Sequence, residues 1–378
     1  MDYELLKVIW WVLIGVLLIG FSVTDGFDMG VGSLLKIIGG TDSERRIMIN
    51  SIAPHWDGNQ VWFITAGGAL FAAWPVVYAT SFSGFYFAMM LVLAALFFRP
   101  IGFDYRSKLE NSKWRTTWDW GIVFGSAVPP IIFGVAFGNL LQGVPFQFDQ
   151  FLRVTYTGSF FGLLNPFAIL CGLVSLMMLM TQGGAWLLMK TDANLHLKAS
   201  RATAITGALA AVFFIVAGIW LALGIDGYVI TSAIQTNEAI TPLMKTVELQ
   251  SGAWLANYEK VPALMLAPLV GIAGMLFAAL AGLMKKGALA FLSSSLGIAG
   301  IIITAGGSMF PFLMPSSSYP SMSLTMWDAT SSQHTMMIMF VVACIFVPIV
   351  LAYTLWSYLV MYGRLTKKHI EENNHSLY

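Results

Sequence analysis

The chain has 378 residues, of which 57% are hydrophobic and 10% charged, with a formal net charge of +1. A water-soluble surface normally carries about a quarter charged residues, so a mean hydropathy of +0.75 excludes an ordinary soluble domain. No basic stripe is present, which excludes nucleic acid as a partner. Cys171 and Cys344 lie in apolar runs and form neither a disulfide framework nor a metal motif.

The segment from Met1 to Lys7 lacks a basic leader, and the apolar run from Val8 is too long for a cleavable signal. It reads as a first membrane span. At about 20 apolar residues per crossing, helices are expected near 8–31, 48–73, 76–98, 119–142, 159–188, 202–224, 262–284, 288–311 and 334–362. The expected fold is therefore all-α and polytopic, with residues 1–378 forming one transmembrane helical domain of nine helices. The second span holds His55, Asp57, Asn59 and Gln60, so hydropathy alone would find eight.

The positive charges favour nine. With nine crossings, 16 of the 20 Lys and Arg fall on one side, including Lys36, Arg45, Arg46, Arg99, Arg106, Lys108, Arg115, Lys190, Lys198 and Lys285. The other side keeps only Lys7, Arg153, Lys245 and Lys260. The positive-inside rule then places the N-terminus outside and the C-terminus in the cytoplasm. The connections near 225–261 and 311–333 are expected to lie over the outer surface.

Ionisable residues within spans are costly and are candidates for function. Asp25 and Asp28, in TDGFDMG, are three apart and share a helix face. Asp25 lies roughly 26 Å along from Val8, near the cytoplasmic end of a core of about 30 Å; the plainer reading is a polar helix end meeting water. In APHWDGNQVW, His55 and Asp57 stand roughly 12–15 Å past Ile47 on the same rise. That is deep for a short carboxylate; the plainer reading is a structural, hydrogen-bonded Asp57 paired with a neighbouring helix. In FFRPIGFDYR, Arg99 precedes Pro100, read as a helix terminator, and Asp104 follows it. Arg99 either neutralises one of these carboxylates or anchors the helix at the interface.

Together with Asp119, these groups all come from the first four spans and lie towards the cytoplasmic side. Such a one-sided inlet suits proton delivery to a site in or against a neighbour. Of His55, His196, His334, His369 and His375, only His55 and His334 lie in or near spans, too few for a convincing haem site. Nucleotide-binding, zinc-hydrolase and serine-nucleophile motifs are absent. A proton- or cation-coupled secondary transporter and a non-catalytic scaffold remain as competing readings.

The segments TDGFDMGVG, APHWDGNQVW, FFRPIGFDYR, GVAFGNLLQGVPF, GIDGY and SLTMWDATSSQ resemble subunit II of cytochrome bd-type quinol oxidases, and the likeness runs the length of the chain. The resemblance implies a heterodimer in the bacterial inner membrane that oxidises quinol and reduces dioxygen to water. It implies that haem b558, haem b595 and haem d are ligated by subunit I, beside a haem-poor subunit II of nine helices. It further implies a structural quinone, small single-helix accessory subunits and surrounding lipid. Trp56, Asp57 and Asp104 match the proposed cytoplasmic proton route; Asp25, Asp28, His55 and Arg99 sit in the same polar region. The expected sidedness is testable: a C-terminal reporter reads cytoplasmic and a tag before Asp2 is reached only from outside. Both ends on one face would remove the nine-helix arrangement.

Overall fold

The computed structural model describes residues 1–372 and Tyr378; His375 lies outside the described residues. The helices are α1 (Tyr3–Ile38), α2 (Asp42–Ile52), α3 (Trp56–Ala73), α4 (Pro75–Gly84), α5 (Tyr86–Arg106), α6 (Ser112–Gln142) and α7 (Pro166–Lys190). They continue as α8 (Ala193–Gly224), α9 (Ala256–Lys260), α10 (Leu266–Leu283), α11 (Gly287–Met309), α12 (Gln333–Val360) and α13 (Lys367–Glu372). Among the described residues, eight helices are long and apolar enough to cross a membrane.

Contacts at the two ends of the bundle give the direction of each helix. At the end holding the N-terminus, the Tyr3 hydroxyl donates to the Ser331 carbonyl (2.6 Å) and Trp10 Nε1 to the Met336 carbonyl (3.0 Å). The Ser331 amide donates to the Ala73 carbonyl (2.9 Å). The start of α1, the end of α3 and the start of α12 therefore meet there. At the other end Asn59 reaches Asp28 on α1, and Tyr358 on α12 reaches Asn59. We call these ends outer and inner, after the charge asymmetry. Helix α3 thus runs the whole way back beside α1, although its 18 residues are not among the eight apolar helices. Its first turns carry Asp57, Asn59 and Gln60, which dilute its hydropathy.

The structure departs from the expected spans at several points. The helix expected over 48–73 is two helices. Thr41 and Glu44 form a reciprocal capping box that starts α2 six residues early. Pro54, which cannot continue the hydrogen-bond ladder, separates α2 from α3. The helix expected over 76–98 is also divided, with α4 ending at Gly84 and α5 beginning at Tyr86. Pro100 does not terminate α5, which runs on to Arg106. Consequently Arg99, Phe103 and Arg106 fall on one buried stripe. The span expected to begin at 159 starts at Pro166, capped by the Asn165 side chain. Where α1 crosses α7, Gly30 faces the Leu179 carbonyl and Gly183, so a side chain on either glycine would strike backbone.

The outer connections fold into antiparallel hairpins that the sequence did not signal: β1 (Phe146–Phe148) with β2 (Val154–Tyr156), β3 (Asp226–Ile230) with β4 (Val247–Ser251), and β5 (Phe312–Met314) with β6 (Leu324–Thr325). Lys7 fastens this outer layer to α1. Its ammonium, fully buried, donates to the carbonyls of Thr236 (2.9 Å), Glu238 (3.0 Å) and Trp327 (2.9 Å). A second buried cation, Lys245, pairs with Asp328 at 2.8 Å. Lys7→Met keeps the apolar stem but leaves three carbonyls without their charged donor, and each such bond contributes about 1.5–3 kcal/mol. A lower unfolding temperature and faster proteolysis within 231–246 are expected; an unchanged cleavage rate would show that the layer is held by other contacts.

Candidate functional site

The inner end gathers the charged residues of α1, α2, α5 and α6. Asp25 and Asp28, one turn apart on α1, have no exposed surface, and Arg99 on α5 is only 1% exposed. Arg99 grips Asp25 with two N–H groups, Nη2 to Oδ1 at 2.6 Å and Nη1 to Oδ2 at 3.2 Å. That forked pairing is the strong geometry for a guanidinium and a carboxylate. Asp28 has a different partner: its Oδ2 accepts from Asn59 Nδ2 at 2.8 Å. Asn59 Oδ1 in turn accepts from the Tyr358 hydroxyl at 2.5 Å.

An aromatic wall closes this network. The Tyr358 ring stacks on His55 with centroids 4.6 Å apart and planes 12° from parallel. His55 meets Trp186 edge-on at 6.1 Å, and Trp186 stacks on Phe27 at 4.1 Å. Further towards the inner surface, two turns along α5, lies a second cluster. Buried Asp119 sits between Arg106 Nε (2.5 Å) and Arg45 Nε (2.9 Å). Asp42, in the first turn of α2, pairs with Arg106 (2.7 Å) and Arg115 (2.9 Å). Burial raises the Asp42 carboxyl, but Arg106, Arg115 and Arg45 outweigh it and hold that group below the usual carboxylate range.

The structure therefore brings Asp25, Asp28, Arg99 and His55 into one neighbourhood and leaves two expected residues outside it. Asp57 and Asp104 are exposed on the surface of the chain and form no ion pair or side-chain hydrogen bond with the described residues. Asp57 is not deep in a continuous helix: the break at Pro54 makes it a first-turn residue of α3, where the helix dipole favours a carboxylate. Trp56 is half-buried and packs edge-on against Phe103 at 6.3 Å. Sequence reasoning missed the bridging role of Asn59 and missed Tyr358 altogether, because a tyrosine near the end of an apolar helix reads as an interfacial anchor.

His55 is buried, with its ring stacked on Tyr358 and met edge-on by Trp186. His334 is exposed at the start of α12, away from this cluster. Among the described residues no group of three His, Cys, Asp or Glu is placed to hold a metal ion.

Removing one member of a buried pair strands the other. Asp25→Asn and Arg99→Gln should each cost on the order of 3–5 kcal/mol, and the double variant less than their sum. Thermal unfolding of the purified protein measures this; additive losses would mean that the two groups are not coupled.

The family model described as cytochrome bd terminal oxidase subunit II matches residues 6–361. Cytochrome bd-I ubiquinol oxidase subunit 2 of Escherichia coli (strain K12) is 61% identical over 378 residues, covering 100% of both chains. Cytochrome bd ubiquinol oxidase subunit 2 of Bacillus subtilis (strain 168) is 32% identical over 363 residues, covering 95% of this chain and 97% of that one. The solved bd oxidase from Geobacillus thermodenitrificans superposes with a TM-score of 0.63 at 14% identity, over 94% of this chain and 97% of that one. That likeness speaks to the fold alone. A full-length sequence match together with this helical architecture has one meaning: the chain belongs to the cytochrome bd terminal oxidase subunit II family.

Proposed function

We propose that, as subunit II of a cytochrome bd ubiquinol oxidase, this chain supports subunit I and provides a cytoplasmic proton-uptake route for the reduction of dioxygen to water. The observation that carries the reading is the buried group of Asp25, Arg99, Asp28, Asn59 and Tyr358 at the positively charged end of the bundle. On α1 no charged residue stands between Lys7 and Asp25. That uncharged stretch spans about 27 Å, close to one hydrocarbon thickness. The acidic cluster therefore belongs at the cytoplasmic boundary of a bacterial inner membrane crossed by nine helices of a single domain, with the N-terminus outside.

Quinol oxidation releases protons outside, and oxygen reduction draws them from the cytoplasm. Charge is then separated, and proton motive force generated, by an inward path without a pump. Exposed Asp57 and Asp104 are the groups able to collect protons at the surface, with Trp56 packed beside them. Asp25, Asp28 and His55 lie inward, and Arg99 fixes Asp25. Haem b558, haem b595 and haem d, with ligands in subunit I, supply the redox chemistry. A structural quinone, small single-helix accessory subunits and lipid complete the assembly. The transporter reading has no observation of its own beyond the buried acids.

Asp57→Asn keeps the shape of the side chain and removes its titratable proton. The variant is expected to assemble with normal haem content and to turn over quinol several-fold more slowly, at the proton-dependent steps. Turnover per haem is the measurement. Unchanged turnover in a fully assembled variant would rule out an obligatory relay at Asp57.

A further inference from the structure

At the inner end one guanidinium faces two carboxylates. Among the described residues, Arg99 directs its two hydrogen bonds to Asp25 and none to Asp28, although the two acids are one helical turn apart. Asp28 receives a single donor, the Asn59 amide, on Oδ2. Its Oδ1, fully buried, has no hydrogen-bond partner among the described residues. The groups around Asp28 offer nothing further. Asn59 comes from α3 and is neutral; Tyr358 comes from α12 and donates to Asn59 Oδ1, not to Asp28; His55 stacks on the Tyr358 ring. The charged groups that act on Asp28 are Asp25 on its own helix and Arg99 on α5.

If both acids were ionised, the trio would carry one uncompensated negative charge out of reach of water. An isolated carboxylate out of contact with water loses its solvation without compensation, and in practice such a group takes up a proton instead. Two carboxylates crowded together share one proton for the same reason. Asp25 already holds the counter-ion through a forked pair, which a protonated Asp25 could not sustain. The charge-neutral arrangement is an ionised Asp25 with Arg99 and a neutral Asp28.

We propose that Asp28 binds one exchangeable proton on Oδ1, making the buried group a single-proton site in which Asp25 is the fixed counter-ion of Arg99. The step is a proton binding to a carboxylate oxygen and leaving it again, with no other bond made or broken. It rests on the proton-uptake reading for the origin and destination of that proton, whereas the protonation itself follows from the geometry.

The test is infrared difference spectroscopy, water minus deuterium oxide, on the assembled oxidase with aspartate carboxyls labelled with carbon-13. A protonated carboxyl band sensitive to both isotopes is expected in the unaltered complex. It should be lost in Asp28→Asn and retained in Asp57→Asn. Absence of such a band from the unaltered complex overturns the proposal without requiring any variant to fold, and its survival in Asp28→Asn overturns it too. The two readings fail separately. An Asp28 band with unchanged turnover in Asp57→Asn upholds the proton site and removes the route through Asp57. Slowed turnover in Asp57→Asn without an Asp28 band removes the proton site and leaves the route.

Discussion

The forked pair between Arg99 and Asp25 joins α5 to α1 at a depth where neither group has more than 1% of its surface exposed. Neither charge is tolerable there alone, so the position of each helix is conditional on the other. Much of the inner end follows from that requirement. Helix α5 must continue through Pro100, because only a helix carried on to Arg106 sets a second guanidinium on the same stripe to meet Asp119. Asp119 in turn draws Arg45, and with it α2, against α6. A chain of alternating charges thus connects four helices without leaving a large net charge at any one point.

The outer end meets the same constraint with the opposite sign and a different partner. Lys7 is as buried as Asp25 but is held by three backbone carbonyls instead of a carboxylate. The difference reflects what lies nearby: loops that leave carbonyls unpaired at the outer surface, and packed helices whose backbone groups are already used at the inner end. A rotatable ammonium with three donors suits converging carbonyls, whereas a planar guanidinium suits the two oxygens of an acid. The separation matters for function, since the outer charges are consumed in holding loops together while the inner cluster retains an acid whose second oxygen is uncommitted.

What was legible in the sequence was whatever depends on hydropathy and on charge counted by side. Helices α10, α11 and α12 declare themselves as apolar runs whose expected and observed extents agree within a few residues, whereas α6 and α8 match at their ends but start at Ser112 and Ala193, well before the expected 119 and 202. The prolines misled because their effect depends on the neighbours that receive the freed backbone. Pro54 ends a helix where His55, Trp56 and Asp57 give an alternative start, while Pro100 lies inside one that continues. The importance of Asp25, Asp28 and Arg99 could be read from the cost of burying charge. Which acid takes the arginine could not, since it is decided by the rotation of α5 about its own axis. Asn59 and Tyr358 carry no such signal: one passes for a polar helix start and the other for a belt aromatic. The outer hairpins were hidden for a similar reason, their strands being only two to five residues long.

Helix α12 shows how differently polar and apolar contacts specify position in this molecule. Among its described residues Met336 alone is buried, and the apolar length from Ile338 to Val360 is largely exposed. In water such a surface would drive packing, but against lipid tails an exposed leucine gains little by turning inward. The register of α12 must then come from its ends. At the outer end the Met336 carbonyl accepts from Trp10. At the inner end the Tyr358 hydroxyl donates to Asn59, and the Lys190 ammonium donates to the Met361 carbonyl at 2.7 Å. Interhelical hydrogen bonds of this kind contribute only about 1–2 kcal/mol each in a membrane. They nevertheless decide the geometry, because the apolar surface between them is indifferent to rotation and to small shifts along the helix axis. One of those few ties runs through Asn59 to Asp28, so the least packed helix of the bundle takes its inner register from the same group that ends on the uncommitted carboxyl oxygen.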